Sequence, residues 1–161
     1  MLRYVNYNIV FQEIPGEVTL AVNLSNCPNR CKGCHSQYLQ EDIGEPLNEQ
    51  ALNEMLDKYG NSVTCLCFMG GDSCPEEVER LASFLHDRTK GRIKTGWYSG
   101  KTNFPANCSV KHFNYIKLGP YIESKGGLDH PTTNQRFYQI TEGDMVDMTH
   151  LFQIKKTPVG Y

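Results

Sequence analysis

The sequence predicts a single α/β domain, residues 1–161, built on an open, mostly parallel sheet or on an incomplete (βα) barrel. Short Val- and Leu-rich runs, typical of buried strands, alternate along the chain with amphipathic helical patterns, and Gly or Pro residues separate them. Parallel strands need a crossover connection and helices supply it, so this order favours four or five βα units. At 161 residues the chain is too short for a closed barrel of eight units, which needs about 250 residues.

The first predicted strand covers residues 17–24, where apolar residues occupy alternate positions. A cysteine-rich segment follows it directly. An amphipathic helix is predicted over residues 47–59, because its apolar side chains recur at helical spacing. Asn48 is a suitable N-cap for this helix and Gly60 a suitable stop.

A second strand is predicted over residues 62–69, a short apolar run typical of a strand buried on both faces. It ends at two glycines. Pro75 is then expected to open a second helix, since proline is favoured at the first helical position. Two further strands are predicted over residues 93–98 and 113–118.

Composition and charge exclude several classes of protein. With 39% hydrophobic and 21% charged residues, the chain is typical of a folded globular protein. Its 16 basic and 18 acidic residues give a net charge of -2, so we expect no nucleic-acid partner. No apolar run suits a membrane-spanning helix, and residues 1–12 lack a signal-peptide pattern, so we expect no membrane partner and a cytoplasmic location.

Three of the seven cysteines form a CxxxCxxC motif: Cys27, Cys31 and Cys34. In a reducing compartment such closely spaced thiols point to metal ligation rather than to disulfides. One candidate is a zinc site, closed by His35 or a distant cysteine as the fourth ligand. The other is an iron–sulfur cluster, in which three cysteines leave one iron open.

Several motifs together resemble the radical S-adenosylmethionine (SAM) superfamily. The CxxxCxxC segment resembles its cluster signature, and residues 68–72, Phe-Met-Gly-Gly-Asp, resemble its glycine-glycine-acid motif. Residues 97–100, Trp-Tyr-Ser-Gly, and residues 132–136, Thr-Thr-Asn-Gln-Arg, are similar to the activating proteins of anaerobic ribonucleoside-triphosphate reductases. The likeness covers roughly residues 17–137. It departs at residues 14–18, which read Ile-Pro-Gly-Glu-Val instead of containing Gly-Pro-Gly, and at Gly33, where an aromatic residue is common.

The resemblance implies a sheet of the radical SAM type and a set of cofactors. Cys27, Cys31 and Cys34 would hold a [4Fe-4S] cluster whose open iron binds SAM. The residues implied in binding SAM are Gly33, His35, Gly70, Gly71, Asp72 and Ser99. The reaction implied is reductive cleavage of SAM, with formation of a glycyl radical on the reductase large subunit. A reduced flavodoxin- or ferredoxin-like protein would donate the electron.

Other interpretations of the same residues remain open. Gly70, Gly71 and Asp72 suit a tight turn followed by a helix cap. Cys65 and Cys67 are expected to be core residues, and no role is assigned to Cys74 or Cys108. The functions of Asn134, Gln135 and Arg136 are also open.

Two other functions compete with the activase hypothesis. One is a small-molecule radical SAM enzyme of the 7-carboxy-7-deazaguanine synthase type. The other is a zinc-binding interaction module without catalysis.

Overall fold

The computed structural model describes residues 2–29 and 37–153. In these ranges the chain forms eight strands and two α-helices. The strands are β1 (Arg3–Val10), β2 (Thr19–Leu24), β3 (Glu45–Pro46), β4 (Cys65–Met69), β5 (Lys94–Tyr98), β6 (Tyr115–Leu118), β7 (Arg136–Thr141) and β8 (Asp144–Asp147). The helices are α1 (Glu49–Tyr59) and α2 (Pro75–Thr89), with short 3-10 helices at Gln37–Gln40, Val110–His112 and Thr149–Phe152.

The strands form one sheet in the order β3-β1-β2-β4-β5-β6-β7-β8. Three of its seven described pairings are parallel, and they join β2, β4, β5 and β6. The other four pairings are antiparallel and lie on both sides of this parallel centre. The two outermost strands, β3 and β8, are separate edges, so the sheet is open.

The predicted fold class, an incomplete (βα) barrel or mostly parallel sheet of the radical SAM type, is therefore wrong. The physical reason is the shortage of helical crossovers in the described ranges. An α-helix precedes β4 and another precedes β5, whereas the connection from β5 to β6 contains only the 3-10 helix Val110–His112. β7 and β8 then form a hairpin, whose turn places Glu142 and Gly143 at φ values of 53° and 83°.

The six individually predicted elements are all present, and the four strands and the first helix are shorter than predicted. In α1, the Asn48 side chain accepts a hydrogen bond from the Ala51 N–H at 2.9 Å, as expected of an N-cap. Gly60 is the C-cap and its N–H bonds to the Leu56 carbonyl. Pro75 opens α2 as predicted. Neither helix in the described ranges has the length and hydrophobicity that crossing a membrane requires.

Each face of the sheet has its own core. Helices α1 and α2 cover one face, where Leu66, Phe68 and Trp97 are fully buried. A smaller cluster on the other face contains Cys65 and Cys67, both with no solvent exposure, which confirms them as core residues. Burial raises the pKa of the Cys65 thiol to about 12 and that of Cys67 well above its ordinary value. Both thiols are thus protonated at neutral pH.

A buried carboxylate ties together the starts of the central strands. Glu17, next to β2, accepts hydrogen bonds from Thr64 Oγ1 at 2.7 Å, from Lys94 Nζ at 2.9 Å and from Tyr115 Oη at 2.5 Å. These donors stand just before or at the beginnings of β4, β5 and β6. Burial raises the pKa of Glu17, but the hydrogen bonds from its three partners outweigh burial and hold the pKa below its ordinary value of 4.5.

Glu17→Gln is expected to lower the free energy of unfolding at pH 7 by about 2 kcal/mol, because charge-assisted hydrogen bonds at a buried site are weakened. A carboxyl with a lowered folded-state pKa stabilises the fold above its unfolded pKa and loses that contribution as the pH falls through the folded value. The difference in the free energy of unfolding between variant and wild type should thus shrink below pH 4.5. Denaturant unfolding at several pH values measures it, with the exposed Glu123→Gln as control. An undiminished difference at acid pH would contradict this assignment.

Candidate iron–sulfur site

A cavity of about 480 Å³ lies where the carboxyl ends of the parallel strands meet. One group of its lining residues follows β2, β4 and β5, and we call it the cysteine side: Cys27, Asn29, Gly70, Asp72 and Gly100. A second group comes from β6 and from residues 119–135, the connection between β6 and β7. We call it the connection side: Lys117, Tyr121, Gly127, Leu128, Asp129, His130 and Gln135. Sheets that contain parallel strands commonly bind ligands at this edge.

Backbone hydrogen bonds join the two ends of the segment that carries the CxxxCxxC motif. Cys27 donates its backbone N–H to the Leu39 carbonyl at 2.9 Å, and Asn26 donates to the Glu41 carbonyl at 2.8 Å. The Cys27 side chain is half-buried. Cys31 and Cys34, and with them Gly33 and His35, lie outside the described residues. These two backbone hydrogen bonds hold the first cysteine of the motif beside the cavity.

The Asp72 carboxylate organises the cysteine side. It accepts hydrogen bonds from Asn29 Nδ2 at 2.6 Å, from Ser99 Oγ at 2.6 Å and from the Gly100 N–H at 2.7 Å. Three segments, which follow β2, β4 and β5, are thereby held in one arrangement. The helix-cap interpretation of Asp72 is wrong, since the N-cap of α2 is Cys74.

Ser99 lies behind Asp72 rather than on the cavity surface. It has no solvent exposure, and its hydroxyl also accepts a hydrogen bond from the Lys101 N–H at 3.1 Å. Its position therefore suits orientation of the Asp72 carboxylate.

The two glycines after β4 have different surroundings. Gly70 lines the cavity at φ 116°, and its carbonyl accepts a hydrogen bond from Trp97 Nε1 at 2.7 Å. Gly71 is buried at φ 94°, and a Cβ there would lie 2.6 Å from Val78 Cγ2. Packing thus requires glycine at position 71, whereas position 70 presents its backbone at the cavity.

The family model of the 4Fe-4S single cluster domain matches residues 15–116, more than half of the chain. The chain belongs to the 4Fe-4S single cluster domain family. Searches of curated proteins and of solved structures give no match. The matched region contains Cys27, Cys31 and Cys34, so membership favours the iron–sulfur interpretation of the motif over the zinc module.

The described part of the site fits a cluster of this 4Fe-4S family. Cys27 places a half-buried thiol at a cavity, and thiolates are the usual ligands of such clusters. Asn29 Nδ2 lies 3.5 Å from Cys27 Sγ, and hydrogen bonds to sulfur tune cluster potentials. Within residues 2–29 and 37–153 no three His, Cys, Asp or Glu side chains come close enough to hold a metal ion. The two remaining motif cysteines lie outside those ranges.

The connection side was not predicted from the sequence, and all of its residues lie beyond the region that matches the 4Fe-4S family. Lys117 Nζ donates to the Ser99 and Gly119 carbonyls, each at 3.0 Å, and so joins the ends of β5 and β6. Gln135 is 7% exposed and lines the cavity. The motif at residues 132–136 was a signal for this side, but its relation to the cavity depends on β7, which the sequence pattern did not reveal.

The neighbours of Gln135 in that motif have other positions. Asn134 Nδ2 donates to the Pro120 carbonyl at 3.0 Å and so braces the connection. Arg136 is exposed and lies 3.7 Å from an Asp147 carboxylate oxygen on β8. Of these three residues, Gln135 alone is among the described lining residues.

Proposed function

We propose that this 4Fe-4S family member is a radical SAM activase for an anaerobic ribonucleoside-triphosphate reductase. Cys27, Cys31 and Cys34 would hold the cluster, and SAM would occupy the adjoining part of the cavity. The single observation that carries the proposal is the convergence of Cys27, Gly70 and the Asp72 network on one cavity at the carboxyl ends of parallel strands.

The residues of the cysteine side would bind and orient the two cofactors. Gly70 has no Cβ, so the amino acid moiety of SAM could approach its backbone closely. Asp72, anchored by three donors, would keep the turn in place without rearrangement on binding. Gly33 and His35 are proposed as further SAM contacts, since they belong to the cysteine segment.

The chemistry belongs to the cofactors and the orientation to the protein. When bound, the reduced cluster supplies one electron to SAM, and the balanced outcome is methionine, 5′-deoxyadenosine and a glycyl radical formed by loss of one hydrogen atom from a glycine α-carbon. A reduced flavodoxin- or ferredoxin-like protein of the cytoplasm would supply the electron. The large subunit of the reductase would supply the glycine.

The experiment mixes the anaerobically reconstituted protein with SAM, a reductant and the large subunit of the reductase. We expect 5′-deoxyadenosine and a glycyl-radical doublet in the electron paramagnetic resonance (EPR) spectrum. A reductase subunit whose radical-loop glycine is changed to Ala is the matched control and should give no doublet. Cleavage of SAM without a doublet from the wild-type pair, with complex formation verified, would exclude the activase reaction.

A small-molecule radical SAM enzyme of the 7-carboxy-7-deazaguanine synthase type is the second candidate. The observation that favours it is the cavity volume of about 480 Å³, which lies in the range of small-ligand pockets, about 300–1,000 Å³. SAM cleavage that depends on a small substrate, and not on the reductase subunit, would support this alternative.

A further inference from the structure

The outer edge of β1 is open over residues 5–10 in the part of the chain that the structure describes. β3 is two residues long and pairs with β1 only at Arg3 and Tyr4, whereas β2 pairs with the other side of β1 along most of its length. We call residues 5–10 the β1 edge. The unpaired backbone N–H and C=O groups of such an edge can bind a further strand.

The β1 edge lacks the features by which proteins protect an exposed strand. Residues 4–11, Tyr-Val-Asn-Tyr-Asn-Ile-Val-Phe, contain no charged residue and no proline, and these are common protections against pairing with another chain. Phe11, directly after the strand, is 67% exposed. The edge strand on the other side of the sheet, β8, is only four residues long and has an aspartate at each end. A strand partner is therefore expected at β1 and not at β8.

The sequence of the β1 edge is complementary to itself. Residues 5–9 read Val-Asn-Tyr-Asn-Ile. An antiparallel pair of two copies centred on Tyr7 places tyrosine opposite tyrosine, asparagine opposite asparagine and valine opposite isoleucine. Favourable pairs across antiparallel strands, aromatic pairs among them, contribute about 0.2–1 kcal/mol each. An interface around a two-fold axis has to match itself in this way.

A groove of about 280 Å³ between β1 and α1 adds charge complementarity. Its lining residues are Tyr4, Tyr7, Ala51, Glu54, Met55 and Lys58. Tyr7 packs against Tyr59 with 5.8 Å between ring centroids, so the middle of the β1 edge lies beside the C-terminal half of α1. Glu54 and Lys58 are exposed and lie about one turn apart on this helix. A two-fold axis at Tyr7 would set two α1 helices antiparallel on one face, with Glu54 of each copy facing Lys58 of the other.

We propose that a second copy of this chain binds at the β1 edge, so that two sheets join into one around a two-fold axis at Tyr7. A second copy fits better than an unrelated strand, because it supplies both the matching side chains and the exchanged Glu54–Lys58 pairs. The carboxyl ends of the parallel strands then point to opposite ends of the joined sheet, so both cavities stay open. The inference goes beyond the proposed function and does not depend on it.

Exchange of charges on α1 tests the dimer. Glu54→Lys and Lys58→Glu are made separately, and the molar mass of each reconstituted full-length protein is measured by analytical ultracentrifugation over a range of concentrations. Wild type should sediment with twice the mass of the chain. Each single variant should have a dimer dissociation constant raised about tenfold, since two attractive contacts become repulsive. An equimolar mixture of the two variants should recover the wild-type value, because opposite charges again face each other at both contacts.

A lysine on the edge itself is the second test. Asn8 is exposed on β1, so Asn8→Lys should leave the thermal midpoint within about 2 °C of wild type. In the dimer the two introduced amines would be diagonal neighbours, about 7–8 Å apart, and the dissociation constant should rise at least about tenfold. Val146→Lys places the same charge at a 43% exposed position on β8 and is the matched control, which should leave the dimer unchanged.

Four results would overturn the inference. Wild type that stays monomeric up to about 100 μM would show that no second copy binds. A dimer that Asn8→Lys leaves intact, or that Val146→Lys dissociates, would place the interface elsewhere. A mixture of Glu54→Lys and Lys58→Glu that associates no better than either variant alone would exclude the two-fold arrangement at Tyr7.

Discussion

Cys27→Ala is expected to abolish the iron–sulfur cluster. The chain would lose one of three thiolates, and the described side chains beside Cys27 on the cavity, the Asn29 amide and the Asp72 carboxylate, are poor ligands for cluster iron. Iron and acid-labile sulfide should fall from about four of each per chain to less than one. Iron and sulfide analysis after anaerobic reconstitution, together with EPR of the reduced protein, measures the loss.

Cys65→Ala is the matched control for this prediction. It also removes one thiol, but from a fully buried site in the core cluster of the sheet. It should keep the cluster and cost only about 1 kcal/mol of stability through lost packing. Should Cys27→Ala still form a [4Fe-4S] cluster whose spectrum responds to SAM, Cys27 would not be a ligand.

Gly71→Ala is expected to lower the free energy of unfolding by about 3 kcal/mol, which is large for one methyl group. An L residue at φ 94° is strained, and its Cβ would lie 2.6 Å from Val78 Cγ2 and 3.1 Å from Leu24 Cδ1. Strand β4 and helix α2 would have to shift apart at the edge of the site. Denaturant unfolding of the apoprotein measures the effect.

Gly143→Ala separates the cost of the backbone conformation from the cost of the Cβ overlap. Gly143 has a similar φ of 83°, yet nothing lies within 4 Å of a Cβ placed there. Gly143→Ala should therefore lower the free energy of unfolding by about 1 kcal/mol, the cost of the backbone conformation alone. Equal losses at the two positions would mean that packing against Val78 does not explain the requirement for glycine at position 71.

The parallel centre of the sheet could be predicted because its strands are marked by strong local signals. β4 is a continuous apolar run followed by two glycines, and α1 and α2 carry recognisable caps or an opening proline. The antiparallel strands lack such signals. β1 contains Asn6 and Asn8, which blur the apolar pattern, and its stability comes from pairing with β2, a tertiary contact that propensity does not encode.

The β7–β8 hairpin was missed for a related reason. Its two-residue turn has Glu142 and Gly143 at positive φ, a conformation for which Asn-Gly is the usual sequence signal. Without that hairpin β7 could not be placed, and so neither could Gln135, which directly precedes it. The cysteine motif, the glycine turn and Asp72 were identified because each follows a recognisable strand.

Trp97 is the one tryptophan of the chain, and its indole Nε1 is bonded to the carbonyl of Gly70, the glycine that lines the cavity. The ring has no solvent exposure and stacks on Phe113 with 5.4 Å between ring centroids. All indole fluorescence therefore comes from one position adjoining the proposed SAM pocket. The protein carries its own optical reporter of the glycine turn, one that needs neither iron nor an added label.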